Sequence, residues 1–360
     1  MKETKTTKTT KKSGLSKKIK RFFFPKHTDE KASIATDKDE YVYSKKWKNG
    51  IYGYNVLLKN INKDKNDDFL IRKMPNKKKV SGFDPKTFFL NEIKFLEKNN
   101  NCEHLVKALV ADSKSKILVL EFCKEKDLSI ILLDEQLQDI KITNNKIITD
   151  VLSGLNYIHK KNFIHLDLRI HNILICNNSK EKDSAIAKIC NFGKIINKLE
   201  LDKKPEIFYD KAVYISYLDP GLLYSIDNKN AKQQYSLLNK YNYYINDIWG
   251  LMLVSMQLLW YPNHLFFSRD YQNQLKLNKE ILLLNDTWVK NIFSIMNSSI
   301  LEASNKKVSQ KNISIKEDSA TYHLINFCTE NRFKTNTNYT ALINKLKNKK
   351  CITSIKYEFL

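Results

Sequence analysis

The chain has 360 residues with 62 Lys/Arg against 39 Asp/Glu, a formal net charge of +23, and a hydrophobic share of 42%. That much apolar material builds a sizeable core and excludes a disordered chain. No apolar run approaches the roughly 20 residues that cross a bilayer; the best, 251–259, is short and broken by Ser255 and Gln257. The lysine-rich N-terminus lacks the apolar core of a signal peptide, and Lys2 rather than glycine follows Met1, which argues against N-myristoylation. Six cysteines (102, 123, 176, 190, 328, 351) form no C-x-x-C pair and fit reduced thiols, so a cytoplasmic location is expected, with the nucleus as the alternative.

In chain order, residues 1–38 lack hydrophobic periodicity and predict a flexible basic tail. Residues 1–27 alone carry ten Lys/Arg and one acid, Glu3. Within the tail, Lys17-Lys18-Ile19-Lys20-Arg21-Phe22-Phe23-Phe24-Pro25 mixes basic and aromatic residues. It suits weak contact with an anionic membrane, a partner or a nuclear signal, but the preferred reading is a solvated tail whose aromatics pack loosely on the domain. The remaining charge is spread thinly, and specific nucleic-acid binding is not expected.

From about 41 to 122 the pattern predicts strands and one helix. Residues 52–58 and 68–74 predict strands joined by a polar turn, 87–98 a helix, and 105–110 and 117–123 two further strands. After 123 the chain turns mostly helical. In 144–160, Ile147, Val151, Leu155 and Ile158 form one stripe, with Thr143 available as the cap. Residues 247–260 are apolar almost all round, the mark of a helix buried in a large core.

Two groups carry the chemistry. In His165-Leu166-Asp167-Leu168-Arg169-Ile170-His171-Asn172-Ile173-Leu174, a carboxylate and an amide stand five residues apart among apolar neighbours. A short loop between a helix and a strand aims both into one cleft, where a carboxylate accepts a proton from a hydroxyl and an amide coordinates metal. Further on comes Asn191-Phe192-Gly193.

These residues resemble the eukaryotic protein kinase domain, with a catalytic loop similar to that of tyrosine kinases. The resemblance implies an α+β, bilobal fold: a small β-rich N-lobe with one helix over 39–122 and a large, mostly helical C-lobe over 123–360. It implies Asp167, Arg169 and Asn172 as catalytic residues, and Asn172 with Asn191 at the metal positions. Lys48-Asn49-Gly50-Ile51-Tyr52-Gly53 resembles the glycine-rich loop with its first glycine replaced, and Glu92 the glutamate of helix C. Leu120-Glu121-Phe122-Cys123 resembles the hinge, and Leu174 lies where the nucleotide rests. Leu96, His165 and Phe192, with a residue from 105–109 and Asp247 as anchor, resemble the apolar stack that ties kinase lobes together.

Against that pattern the chemical positions are depleted. Asn191 replaces the metal-binding aspartate, and an amide brings no charge to offset Mg²⁺ beside phosphates. The phosphate-binding lysine aligns best with Arg72, which places Leu70 above the adenine; a one-residue slip puts Lys73 there instead. Leu166 replaces the arginine before the catalytic aspartate, and Gly221 the glutamate that pairs with Arg332. The expectation is therefore a pseudokinase acting on protein partners as a regulator or scaffold, with ATP binding weak or metal-independent and Mg²⁺ binding greatly weakened. The alternative is a divergent active kinase, of tyrosine or dual specificity, with Asp167 as its base.

Overall fold

Alternation of apolar side chains along two neighbouring segments creates a sheet with two unlike faces, and the first third of the chain is built on it. The computed structural model describes residues 19–23, 33–36, 39–49, 53–62, 68–77, 84–124, 127–133, 142–177, 184–203, 217–219, 222 and 241–260, with single positions between 323 and 346. The chain divides into two units, Met1–Phe122 and Cys123–Leu360.

In the first unit, β1 (Ile19–Phe23), β2 (Ser33–Thr36), β3 (Glu40–Asn49), β4 (Gly53–Asn60), β5 (Phe69–Pro75), β6 (Ala108–Asp112) and β7 (Ile117–Glu121) form one antiparallel sheet. Their order is β1-β2-β3-β4-β5-β7-β6. One face packs Ile34, Tyr41, Val56, Leu58, Leu70 and Val119 into a single cluster. The opposite face carries Leu57, Ile71, Leu118 and Leu120, one residue out of step on the same strands.

The first two strands correct the expectation of a flexible tail over 1–38. β2 pairs with β3 through Ser33↔Val42 and Ile34↔Tyr41, and Ile34 is fully buried. β1 joins β2 by backbone pairing, which needs no apolar alternation of its own. The rest of 1–38 lies outside the described residues. Lysine-rich β3 was not foreseen as a strand either, because Lys45 and Lys46 face solvent where apolar periodicity would have shown it.

Helix α1 (Pro85–Lys98) starts where Asp84 accepts a hydrogen bond from Lys86 N at 3.1 Å and Pro85 presets the first turn. It buries Phe88, Phe89, Glu92, Ile93 and Leu96 along one stripe. Gly53 opens β4 because a Cβ there would stand 2.4 Å from the carbonyl oxygen of Met74. Close backbone approach alone therefore requires this glycine.

The second unit contains α2 (Leu128–Leu133), α3 (Asn144–Lys160), β8 (Phe163–Ile164), β9 (Ile173–Asn177), β10 (Ala185–Ile189), β11 (Ile196–Asn197), α4 (Lys198–Lys203) and α5 (Tyr244–Trp260). Thr143 caps α3, accepting from Lys146 N at 3.2 Å, and the expected stripe of Ile147, Val151, Leu155 and Ile158 is fully buried. That helix packs on β10 and on α5. Four consecutive residues of α5, Leu251 to Val254, are buried, as a helix enclosed on all sides requires. Among the described residues no helix is long and apolar enough to cross a membrane.

The reduced state expected for all six cysteines is corrected at two of them: Cys123 and Cys176 form a disulfide 53 residues apart in sequence. Cys123 follows β7, and Cys176 lies buried in β9. Cys102, Cys190 and Cys328 take no part in that disulfide. The cysteines thus no longer argue for a reducing compartment. A cross-link of this span limits the unfolded chain and contributes about 2–4 kcal/mol. Reduction, or Cys123→Ser, is expected to lower the urea midpoint of the purified protein accordingly; an unchanged midpoint would show that the bond adds nothing to stability.

Candidate functional site

The loop after α3 is held from below by one buried carboxylate. Asp247, at the start of α5 and inaccessible to solvent, accepts from His165 N at 2.8 Å and from Leu166 N at 2.9 Å. His159 Nε2, from the end of α3, lies 2.8 Å from the same carboxylate. One turn further along α5, Gly250 lets the loop sit down: a Cβ there would come within 2.8 Å of the Leu168 carbonyl oxygen. The two amide bonds fix Leu166 at φ 61°, a left-handed conformation that costs a leucine about 1–2 kcal/mol. His165 meets the ring of Phe192 edge-on at 5.5 Å and bonds the Cys190 carbonyl oxygen at 3.1 Å. Leu96 and Leu105 are buried in the core of the first unit.

Above this base the expected catalytic residues converge. Arg169 Nε lies 3.3 Å from Asp167 Oδ1. Asn172 donates to the Asp167 carbonyl oxygen at 2.7 Å, and Asn191 Nδ2 donates to Asn172 Oδ1 at 3.0 Å. The two positions that would hold metal are therefore neutral amides joined to each other. Neither brings a carboxylate, and Asn191 directs an N–H₂ group at the oxygen that a cation would need. This donor set does not fit Mg²⁺, a hard cation that takes anionic oxygen ligands.

A residue that sequence reasoning missed completes the cluster. Lys194, in the short 3₁₀ turn after Asn191, buries its side chain and brings Nζ within 3.5 Å of Asp167 Oδ1. Burial pushes its ammonium below the ordinary lysine range, against the opposing pull of Asp167. The signal was available as a lysine set in the apolar run Phe192-Gly193-Lys194-Ile195-Ile196, which a solvent-facing lysine rarely occupies.

In the first unit, Glu92 is almost wholly buried and pairs with Lys73 Nζ at 2.5 Å. The preference for Arg72 at the phosphate-binding position is thereby corrected. β5 pairs with β4 and β7 without a bulge, so Arg72 shares the face of Leu70, Val56 and Val119, while Lys73 and Ile71 share the face turned to α1. Ile71, not Leu70, then occupies the small-residue position beside the lysine.

The other expected nucleotide contacts are scattered in their commitments. Gly50, Ile51 and Tyr52 lie outside the described residues. Glu121 is tied to Lys107 twice, its amide donating to Lys107 O at 2.9 Å and its Oε1 accepting from Lys107 N at 2.7 Å. Cys123 is in the disulfide, and half-buried Leu174 bridges to Asp127. Pro220, Gly221 and Arg332 likewise lie outside the described residues. The Asp219 amide donates to Asn246 Oδ1 at 3.1 Å.

Removing the Asp247 carboxylate leaves two buried amides and a histidine without their acceptor. Asp247→Ala is expected to destabilise the protein by about 3 kcal/mol or more, read as a lower midpoint in urea denaturation. A loss within experimental scatter would show that the loop is held elsewhere.

Comparison with known proteins agrees with this geometry. The protein kinase domain model matches residues 43–349. The chain is 28% identical over 243 residues to mitogen-activated protein kinase 13 of Arabidopsis thaliana, covering 64% of this chain and 57% of that protein. It is 34% identical over 113 residues to cyclin-dependent kinase 12 of Drosophila melanogaster, covering 31% of this chain and 9% of that protein. It is 33% identical over 167 residues to the serine/threonine-protein kinase pakA of Dictyostelium discoideum, covering 44% and 13%. The chain spans less than two thirds of the length of each of these relatives. With the lysine–glutamate pair, the catalytic loop on its buried aspartate and a family match over most of its length, the chain belongs to the protein kinase domain family.

Proposed function

We propose that this protein is a pseudokinase, a kinase-fold module that works by binding rather than by phosphoryl transfer. The observation that carries the reading is the Asn191–Asn172 hydrogen bond, which replaces a charged metal ligand by two neutral amides bonded to each other. Phosphoryl transfer depends on metal charge to offset the phosphates. Asp167, the family's proton acceptor, is at the same time engaged by Arg169 and Lys194 on one oxygen. Leu166, in place of the family's arginine, removes the usual receptor for an activating phosphate. On this reading ATP binds weakly or without metal, and the output is contact with protein partners. The basic stretch at the N-terminus adds weak attraction to anionic membrane.

A second reading is favoured by one observation. The Lys73–Glu92 ion pair is intact, and it is the arrangement that active kinases use to hold the α- and β-phosphates. On that reading the protein is a divergent kinase with Asp167 as base. Its loop form, Asp167-Leu168-Arg169 followed by Asn172, resembles tyrosine kinases, whereas pakA carries serine/threonine in its name. Acceptor class would follow from phosphoamino-acid analysis.

The two readings separate in one assay. Purified full chain with labelled ATP and Mg²⁺ or Mn²⁺ is expected to transfer no phosphate above background, and Asn191→Asp alone is expected not to create robust transfer. Phosphate transfer that disappears in Asp167→Asn would overturn the pseudokinase reading in favour of the second.

A further inference from the structure

The misfit between Mg²⁺ and the amide pair raises the question of what charge this site offers to phosphate. A metal-dependent site presents carboxylates to a cation, and the cation presents charge to the nucleotide. In the second unit that order is inverted. Asn191 and Asn172 are neutral, while Lys194 brings a cation, held by the protein itself, to the carboxylate beside them. The Lys194 side chain is 3% exposed and that of Asp167 5%, so both charges stand in a setting where water screens them poorly. Arg169 adds a second cation on the same Asp167 oxygen, 18% exposed and thus nearer to solvent.

We propose that Lys194 stands in for the metal, so that this cluster receives the polyphosphate of a metal-free nucleoside triphosphate. The inference rests on the pseudokinase reading and gives its nucleotide binding a residue and a sign. The ammonium on Asp167 does two things at once. It repels a divalent cation from the position next to Asn172, and it supplies a charge-assisted donor to a phosphate oxygen. Ligand preference is then opposite to that of a metal-dependent kinase: ATP in a chelator binds at least as tightly as ATP with Mg²⁺.

The test uses the full chain and three probes, namely ATP with EDTA, ATP with excess Mg²⁺, and adenosine, followed by calorimetry or thermal shift. The wild type is expected to bind ATP in EDTA, with no gain on adding Mg²⁺. Lys194→Gln is expected to weaken metal-free ATP roughly tenfold or more, the scale of one unit charge removed at close range. Adenosine, which carries no phosphate, is expected to be unaffected, and Lys194→Arg to retain ATP binding. Because Lys194 is buried, Asn191→Asp supplies an independent arm that leaves the lysine in place. It returns a carboxylate to the site and is expected to shift preference toward Mg²⁺-ATP.

An ATP-to-adenosine affinity ratio unchanged in Lys194→Gln would overturn the proposal. So would Mg²⁺ tightening ATP on the wild type, or no binding of ATP in EDTA. Metal-dependent phosphate transfer from ATP, by contrast, is what overturns the pseudokinase reading, so the two failures are told apart.

Discussion

The buried carboxylate of Asp247 is the constraint on which the second unit turns. It sits at the first turn of α5, where the helix dipole favours negative charge, and it is stripped of water. Burying a charge is tolerable only with close partners, and here they are the amides of His165 and Leu166 and the ring of His159. Satisfying that one group therefore ties the end of α3, the catalytic loop and the start of α5 together. The position of Asp167 follows from this scaffold.

That separation between scaffold and chemistry explains how the loop survives in a site whose metal positions are neutral. Leu166 keeps the left-handed backbone that the carboxylate demands, although its side chain offers no charge. Asn172 keeps its bond to the loop carbonyl while its oxygen is taken up by Asn191. Each retained residue has a structural reason to remain, so its presence alone says little about turnover. The Lys73–Glu92 pair is the exception, since a buried glutamate is stabilised by a cation that also suits phosphate.

Much of this was legible in the sequence where a motif is long or a stripe is apolar. The catalytic loop could be read from its resemblance to a known family, and α3 with its Thr143 cap and the enclosed helix α5 from the spacing of apolar residues. What escaped was set by parity, by polar side chains or by distance along the chain. Arg72 and Lys73 are adjacent cations on a strand, and only pairing with β4 and β7 reveals which one faces α1. β1 carries Lys20 and Arg21 and β3 three lysines, so their backbone pairing left no apolar periodic trace. Cys123 and Cys176 carry no short-range signature, and Lys194 is a cation in an apolar run whose partner lies 27 positions earlier.

The disulfide has a topological consequence. It closes a covalent ring running from Cys123 to Cys176, and that ring contains α2, α3 and the whole catalytic loop. A protease that cuts once anywhere inside it opens the backbone but releases nothing. The two products travel as one species until a reductant is added. A nicked molecule would thus keep its loop covalently attached on both sides, and a gel run without reductant would not reveal the cut as lost mass.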